Sequence, residues 1–343
     1  MSGLIHIPSV PGRHRGNQGG VSLIELMIAM TVGLLIVLAV TAMVLGNSRS
    51  NRELNLAAQQ LENGRYAMHL LREELQHAGF YGLFYLLPPP PLLLPDPCAT
   101  DLVSLLAGIA LPVQGFDAPV GNPPLSCLND ANHLDGTDIL VVRRSSTEVT
   151  AVAAMQPGTV YLQAQNADMV MDLGQNGASF TLTKKDGVTL SDIRRFRVDI
   201  YFISPCSRPV GVNCDASADN GNPVPSLKRL ELDSGGLVPV FRTVTLAENI
   251  QDLQIDWGLD RDFDGAVTLP YVTLPATPAE WGDVMGTVVH LLARNPEVIG
   301  GHVDVKTYHR GLAGALGPFN DGYRRHIFTA AVRLQNPSMR RER

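Results

Sequence analysis

Gly20-Val21-Ser22-Leu23-Ile24-Glu25, followed by residues 26–45 (LMIAMTVGLLIVLAVTAMVL), is the stretch on which the reading of this 343-residue chain turns. Residues 26–45 carry no charge. At about 1.5 Å per residue such a helix reaches roughly 30 Å, one bilayer core. Upstream, residues 1–20 contain no acidic residue and carry Arg13 and Arg15. Those arginines keep the N-terminus cytoplasmic, so the chain beyond Arg49 faces outward.

Three kinds of N-terminus share these features: a signal anchor, a secretory signal peptide cut near Val40-Thr41-Ala42, and a leader cut ahead of the apolar run. Glu25 distinguishes them. An ionisable group in a membrane helix is costly, about 2.5–3.5 kcal/mol for Asp, Lys or Arg at the centre on insertion scales. A carboxylate there needs a partner or must snorkel to the headgroups. Cleavage after Gly20 creates the partner, because the new ammonium at Val21 lies four residues before Glu25, one helical turn away.

The heptapeptide Gly20-Val21-Ser22-Leu23-Ile24-Glu25-Leu26 resembles the class III leader of type IV pilins and type II secretion pseudopilins. The resemblance implies cleavage after Gly20 and N-methylation at Val21 by a membrane prepilin peptidase, and a role for Glu25 in docking each subunit into a filament. Two departures, Val in place of Phe at the first mature position and a long leader of residues 1–20, are commoner among minor pilins.

Downstream, Leu54, Ala57, Leu61, Gly64, Met68, Leu71, Leu75 and Ala78 recur at steps of three and four, an amphipathic helix stripe. No Pro occurs from residue 21 to residue 87, so one helix over 21–79 is predicted, bending near Gly46 and capped by Gly79. The wording SNRELNLAAQQLENGRYAMHLLREELQHAGFYG is similar to the PilW minor pilins, as are residues 283–296 and Gly317-Pro318-Phe319-Asn320-Asp321-Gly322-Tyr323-Arg324-Arg325-His326.

Beyond the helix the chain becomes turn-rich, with 32 Gly and 24 Pro overall. Residues 86–95 (LLPPPPLLLP) cannot be helix interior and read as a stiff connector or docking arm. Alternation of apolar residues marks strands at 193–203, 253–257 and 326–334. Further strands are expected at 139–143, 159–163, 179–183, 226–232, 237–244, 284–293 and 303–308. The expected organisation is a leader (1–20), a helix (21–79), Pro-rich and Cys-containing loops (80–135), a β-rich head (136–336) and a solvated basic tail (337–343). The fold class is therefore α+β: a long helix packed on antiparallel sheet, as the pilin resemblance also implies.

Cys98, Cys127, Cys206 and Cys214 form no C-x-x-C pair and lack His at zinc spacing. An oxidising, extracytoplasmic head favours disulfides, with the local pairings Cys98–Cys127 and Cys206–Cys214 preferred among three connectivities. Asp260-Arg261-Asp262-Phe263-Asp264-Gly265 has the D-x-D-x-D-G opening of a calcium loop, to which Ala266 offers a carbonyl and Thr268 a hydroxyl. Tyr271 stands where an EF-hand needs Glu, leaving a calcium-stapled hairpin closed by Asp256 or Asp283, or a plain acidic turn.

Catalytic patterns are poor. Asp233-Ser234-Gly235-Gly236 resembles a serine-protease turn without its preceding Gly, and no nucleotide-binding or H-E-x-x-H motif occurs. A net charge of −6 argues against nucleic acid. The resemblance implies a non-enzymatic minor pilin, held in the inner membrane with a periplasmic head, then moved into a pilus fibre or tip. Its implied partners are other minor pilins and a large tip adhesin, and its implied roles are pilus assembly, twitching motility and adhesion. A minor pseudopilin of type II secretion and a membrane-anchored periplasmic calcium-dependent hydrolase are the alternatives.

Overall fold

The computed structural model describes residues 20–118, 125–166 and 168–342. Most of the expected leader, Arg13 and Arg15 included, lies outside the described residues. The chain divides into two compact units, residues 1–54 and 55–343. Helix α1 runs Leu23–His77, without a break at Gly46. Ser22 precedes its first turn, and Gly79 ends it in the left-handed region at φ 71°, where a side chain is strained.

Within the second unit, the first part of the chain supplies β1 (Leu83–Phe84), α2 (Leu102–Ala107), β2 (Val113–Phe116), β3 (Ile139–Ser145), β4 (Val160–Asn166) and β5 (Asp168–Leu173). Next come β6 (Ile193–Ser204), α3 (Ala218–Gly221), β7 (Ser226–Ser234), β8 (Pro239–Glu248), β9 (Ile250–Leu259) and β10 (Thr268–Val272). The chain ends through α4 (Pro278–Gly282), β11 (Val284–Arg294), β12 (Tyr308–His309), β13 (Ala315–Leu316), β14 (Arg325–Arg333) and α5 (Gln335–Arg341). Strands β1–β8 build one sheet centred on β6, and β10-β9-β11-β14 build a second, antiparallel one. Among the described residues only β1 pairs in parallel, with β4.

The central strands of the large sheet are covered on both faces. Leu140 and Val142 of β3, with Tyr201 and Ile203 of β6, enter a core shared with α1 and the second sheet. Their neighbours Ile139, Val141, Ile200 and Phe202 enter a second core on the opposite face. Double coverage explains why β3 reads as the unbroken apolar run ILVV. Trp257 and Trp281 meet edge to face at 4.7 Å, and Gly115 gives them room. The two sheets are joined at Asp138, whose N–H donates to Leu253 O at 2.9 Å and whose Oδ2 accepts from Ile255 N at 2.8 Å.

The buried side of α1 differs from the predicted stripe above Gly64. Leu56 and Gln60 point inward while Leu54 is 65% exposed. Gln60 is at home there because its amide donates to Ala293 O and Arg324 O, at 2.9 and 3.1 Å. Hydropathy does not register a polar side chain whose bonds are made. Lower on the helix, Glu74 grips Arg144 of β3 through two bonds of 2.7 and 2.9 Å.

Two expected strands are loops. Residues 179–183 form no strand: their pairing is limited to one bridge from Thr183 to Leu190, and Leu182 bonds the side chain of Gln163, its N donating to Oε1 and its O accepting from Nε2. Along 303–308 only Tyr308 is strand, because the chain wraps around the carboxylate of Asp304. Residues 80–118 and 125–135 join the head, with Phe84, Leu105 and Ile109 in one core and Leu111 and Val113 in the other. Leu87 and Pro90 of the Pro-rich arm lie on the head, Pro90 against Gly282, while Leu92 projects at 98% exposure.

Candidate functional site

The N-terminal site is built at the start of α1. Gly20 and Val21 precede the helix and are exposed. Ser22 caps it: its carbonyl accepts from Leu26 N at 3.1 Å, and its N–H donates to Glu25 Oε2, also at 3.1 Å. Glu25 thus answers one of the amides that a helix N-terminus leaves open, half of a capping box. The helix begins two residues later than predicted, so Val21 is not in helical register with Glu25. The S-x-x-E spacing of Ser22 and Glu25 is the sequence signal for this cap. Large apolar side chains from Val21 to Leu45 are exposed, and this helix is long and apolar enough to cross a membrane. Exposed apolar surface of this extent is the kind that marks a membrane or protein contact.

The acidic loop follows β9. One oxygen from each of Asp260, Asp262 and Asp264 lies within 4.8 Å of the others, close enough to share a hard cation. Each carboxylate also has protein partners. Asp260 accepts from Asp264 N and Gly265 N at 3.1 and 3.0 Å, Asp262 from Thr268 Oγ1 at 2.8 Å, and Asp264 from Ala266 N at 2.8 Å. Arg341 reaches in from α5, 3.2 Å from Asp260 Oδ2, and bonds Asp283 as well. Burial pushes the Asp260 carboxyl up, but the Gly265 N–H and the Arg341 guanidinium hold it below the usual range. Asp256 lies elsewhere, paired with His290 at 3.2 Å and accepting from Leu312 N.

Cys98 bonds to Cys127 and Cys206 to Cys214, so both disulfides are local. The second closes a loop organised around Asp219, whose carboxylate accepts from Ser207, Arg208 and Val224 N–H at 2.7–2.9 Å. Ser234 Oγ donates to Pro157 O at 2.6 Å, and Asp233 pairs with Arg195 and Arg242. These contacts make the Asp233-Ser234 turn a structural one; none of these partners is a base for a nucleophile.

Residues 213–336 match the family model of PilW, the Type IV Pilus-assembly protein W. No curated protein and no solved structure matches the chain. The matched span lies wholly in the second unit, from the Cys206–Cys214 loop through β14. The match supports a part in type IV pilus assembly.

Inside the PilW-matched span, Arg325 is a buried hub rather than a solvated charge. It bonds Asp304 at 2.9 Å, Asp321 at 2.6 Å and Gln251 at 2.8 Å, and stacks on Phe319 at 3.7 Å. Tyr308 donates to Asp304 as well. Arg310 bonds Asp252 at 2.9 Å. A second row crosses three strands, with Asp256 on β9, His290 on β11 and Thr329 on β14 joined at 3.2 and 3.1 Å. The tail is likewise folded in: Arg340 donates to Gly79 O, and Pro337 and Ser338 are buried. Arg325–Asp321 and Tyr308–Asp304 are four residues apart, whereas the other partners lie 21 residues or more away, where no short-range sequence pattern marks them.

Proposed function

We propose that the chain is a minor pilin of the type IV pilus, cleaved after Gly20, methylated at Val21 and inserted into the growing structure through Glu25. The observation that carries this reading is Glu25 itself, a carboxylate at the mouth of an exposed apolar helix, accepting the N–H of the residue next to Val21. In an apolar medium a lone carboxylate is costly, and an ammonium beside it removes most of that cost. A chain beginning at Val21 carries such an ammonium one residue from the bond Glu25 already makes. The charge is then neutralised on insertion, within one subunit or between neighbours, and the apolar helix packs with others in the filament core.

The head, whose C-terminal part matches a pilus-assembly family, supplies the contacts to other minor pilins and a large tip adhesin. Until assembly the apolar helix holds the subunit in the inner membrane with the head in the periplasm. In a priming or tip complex the subunit supports twitching motility and adhesion.

Mass spectrometry of the mature N-terminus tests the reading: methylated Val21 is expected, whereas a chain starting at Met43, or one retaining residues 1–20 in cells that form normal pili, overturns it. Glu25→Ala is expected to leave the subunit in the membrane and abolish its incorporation into pili, as scored by immunoblot of sheared fibres.

A further inference from the structure

A cleft of about 500 Å³ opens between β1 and α5. It falls in the size range of sites that bury a small ligand or a few side chains. Its walls combine two chemistries. Leu83, Tyr85 and Met339 are 56, 50 and 53% exposed and give an accessible apolar surface, while Lys184, Lys185 and Arg340 supply positive charge. Among the described residues that line it there is no carboxylate. On a chain of net charge −6 this concentration of cations is not a by-product of a basic surface.

The walls are pre-built. Arg340 donates to the carbonyls of Gly79 and Phe84, which fixes α5 across the end of β1. A smaller depression shares Gly82, Leu83 and Lys184 with the cleft and contains Asp192. That carboxylate is shared by Lys184 at 3.1 Å and Arg194 at 2.9 Å, so it offsets the positive charge there only in part.

We infer that this cleft seats an acidic peptide segment of another pilus subunit, with an apolar side chain against Leu83, Tyr85 and Met339 and carboxylates facing Lys184, Lys185 and Arg340. Charge complementarity selects the sign of the partner. A peptide is favoured over a lipid surface because the apolar side chains line a concavity instead of protruding, and Met and Tyr suit a side-chain pocket. Only the ownership of the segment by a pilus subunit rests on the assembly reading.

The test uses the full chain in detergent and a fluorescein-labelled peptide, Gly-Asp-Phe-Asp-Leu-Asp-Gly, followed by anisotropy at low and moderate salt. The acidic peptide is expected to bind at least about tenfold more tightly than its Asn-substituted counterpart, a difference of about 1.4 kcal/mol, and to weaken with salt. Lys185→Glu and Met339→Glu, both at exposed positions, should each weaken it about fivefold or more with the melting temperature unchanged. Equal binding of acidic and Asn peptides, or insensitivity to both substitutions, overturns the inference. So does displacement by millimolar inorganic phosphate, which would mark a bare anion site, or binding to phosphatidylglycerol vesicles without binding to the peptide. Because binding is read on purified protein, it is independent of Val21 processing: an unmethylated N-terminus with intact peptide binding removes the minor-pilin reading alone.

Discussion

Gly64 on α1 and Phe328 on β14 fit together only because Gly64 has no side chain: a Cβ placed there overlaps the ring. Substitution by Ala brings two opposing effects. Ala favours the helix by about 1 kcal/mol, while overpacking a rigid ring costs about 1–3 kcal/mol. Gly64→Ala is therefore expected to destabilise the head by about 1 kcal/mol in denaturant melts. In a Phe328→Ala background the clash is gone, and the same change should stabilise by up to about 1 kcal/mol. A sign that does not change between the two backgrounds would rule out the contact.

Asp138 joins the two sheets as a buried carboxyl, pushed up to about 8 by burial and by the nearby carboxylates Asp117, Asp252 and Asp256, against the opposing bond from Ile255 N. Unfolded, it titrates near the usual value of about 3.9. Between that value and about 8 the folded chain keeps a proton that the unfolded chain has lost, so this group's contribution falls as pH rises. Asp138→Asn preserves the acceptor for Ile255 and removes the titration. The variant is expected to gain on the parent protein progressively from pH 4 to pH 8, with little difference at the acid end; parallel melting curves at both ends would refute the assignment.

The two disulfides close loops of 29 and 8 residues. Chain-entropy arguments put their stabilisation at about 3.6 and about 2.5 kcal/mol. Replacing Cys98 and Cys127 by Ser is thus expected to lower the melting temperature more than replacing Cys206 and Cys214. Calorimetry of the two double variants gives the order directly.

Arg341 places a guanidinium beside Asp260 and Asp283, next to the carboxylates that the D-x-D-x-D-G spacing offers to calcium. Removing it leaves Asp260 buried with only its loop N–H groups, and Arg341→Ala should cost about 2 kcal/mol or more without calcium. Calcium at millimolar concentration is expected to restore part of that loss and to raise the melting temperature of the variant more than that of the parent. No response in either protein would remove calcium from the loop.

Much of the architecture was legible in the order of residues. The uncharged run, the position of Glu25, the local cysteine pairs and the alternation along β6, β9 and β14 are short-range patterns, and each derives from helix or strand periodicity or chain connectivity. Tertiary structure alone decided which polar groups belong inside. Gln60 faces the core because two distant carbonyls accept from it, Arg341 is drawn in from the basic tail by aspartates far along the chain, and Arg325 is held by the distant Asp304 and Gln251 as well as by its near neighbour Asp321. Hydropathy ranks each residue by its preference for water, whereas burial of a polar group depends on whether a partner waits there, and only the folded chain brings that partner near.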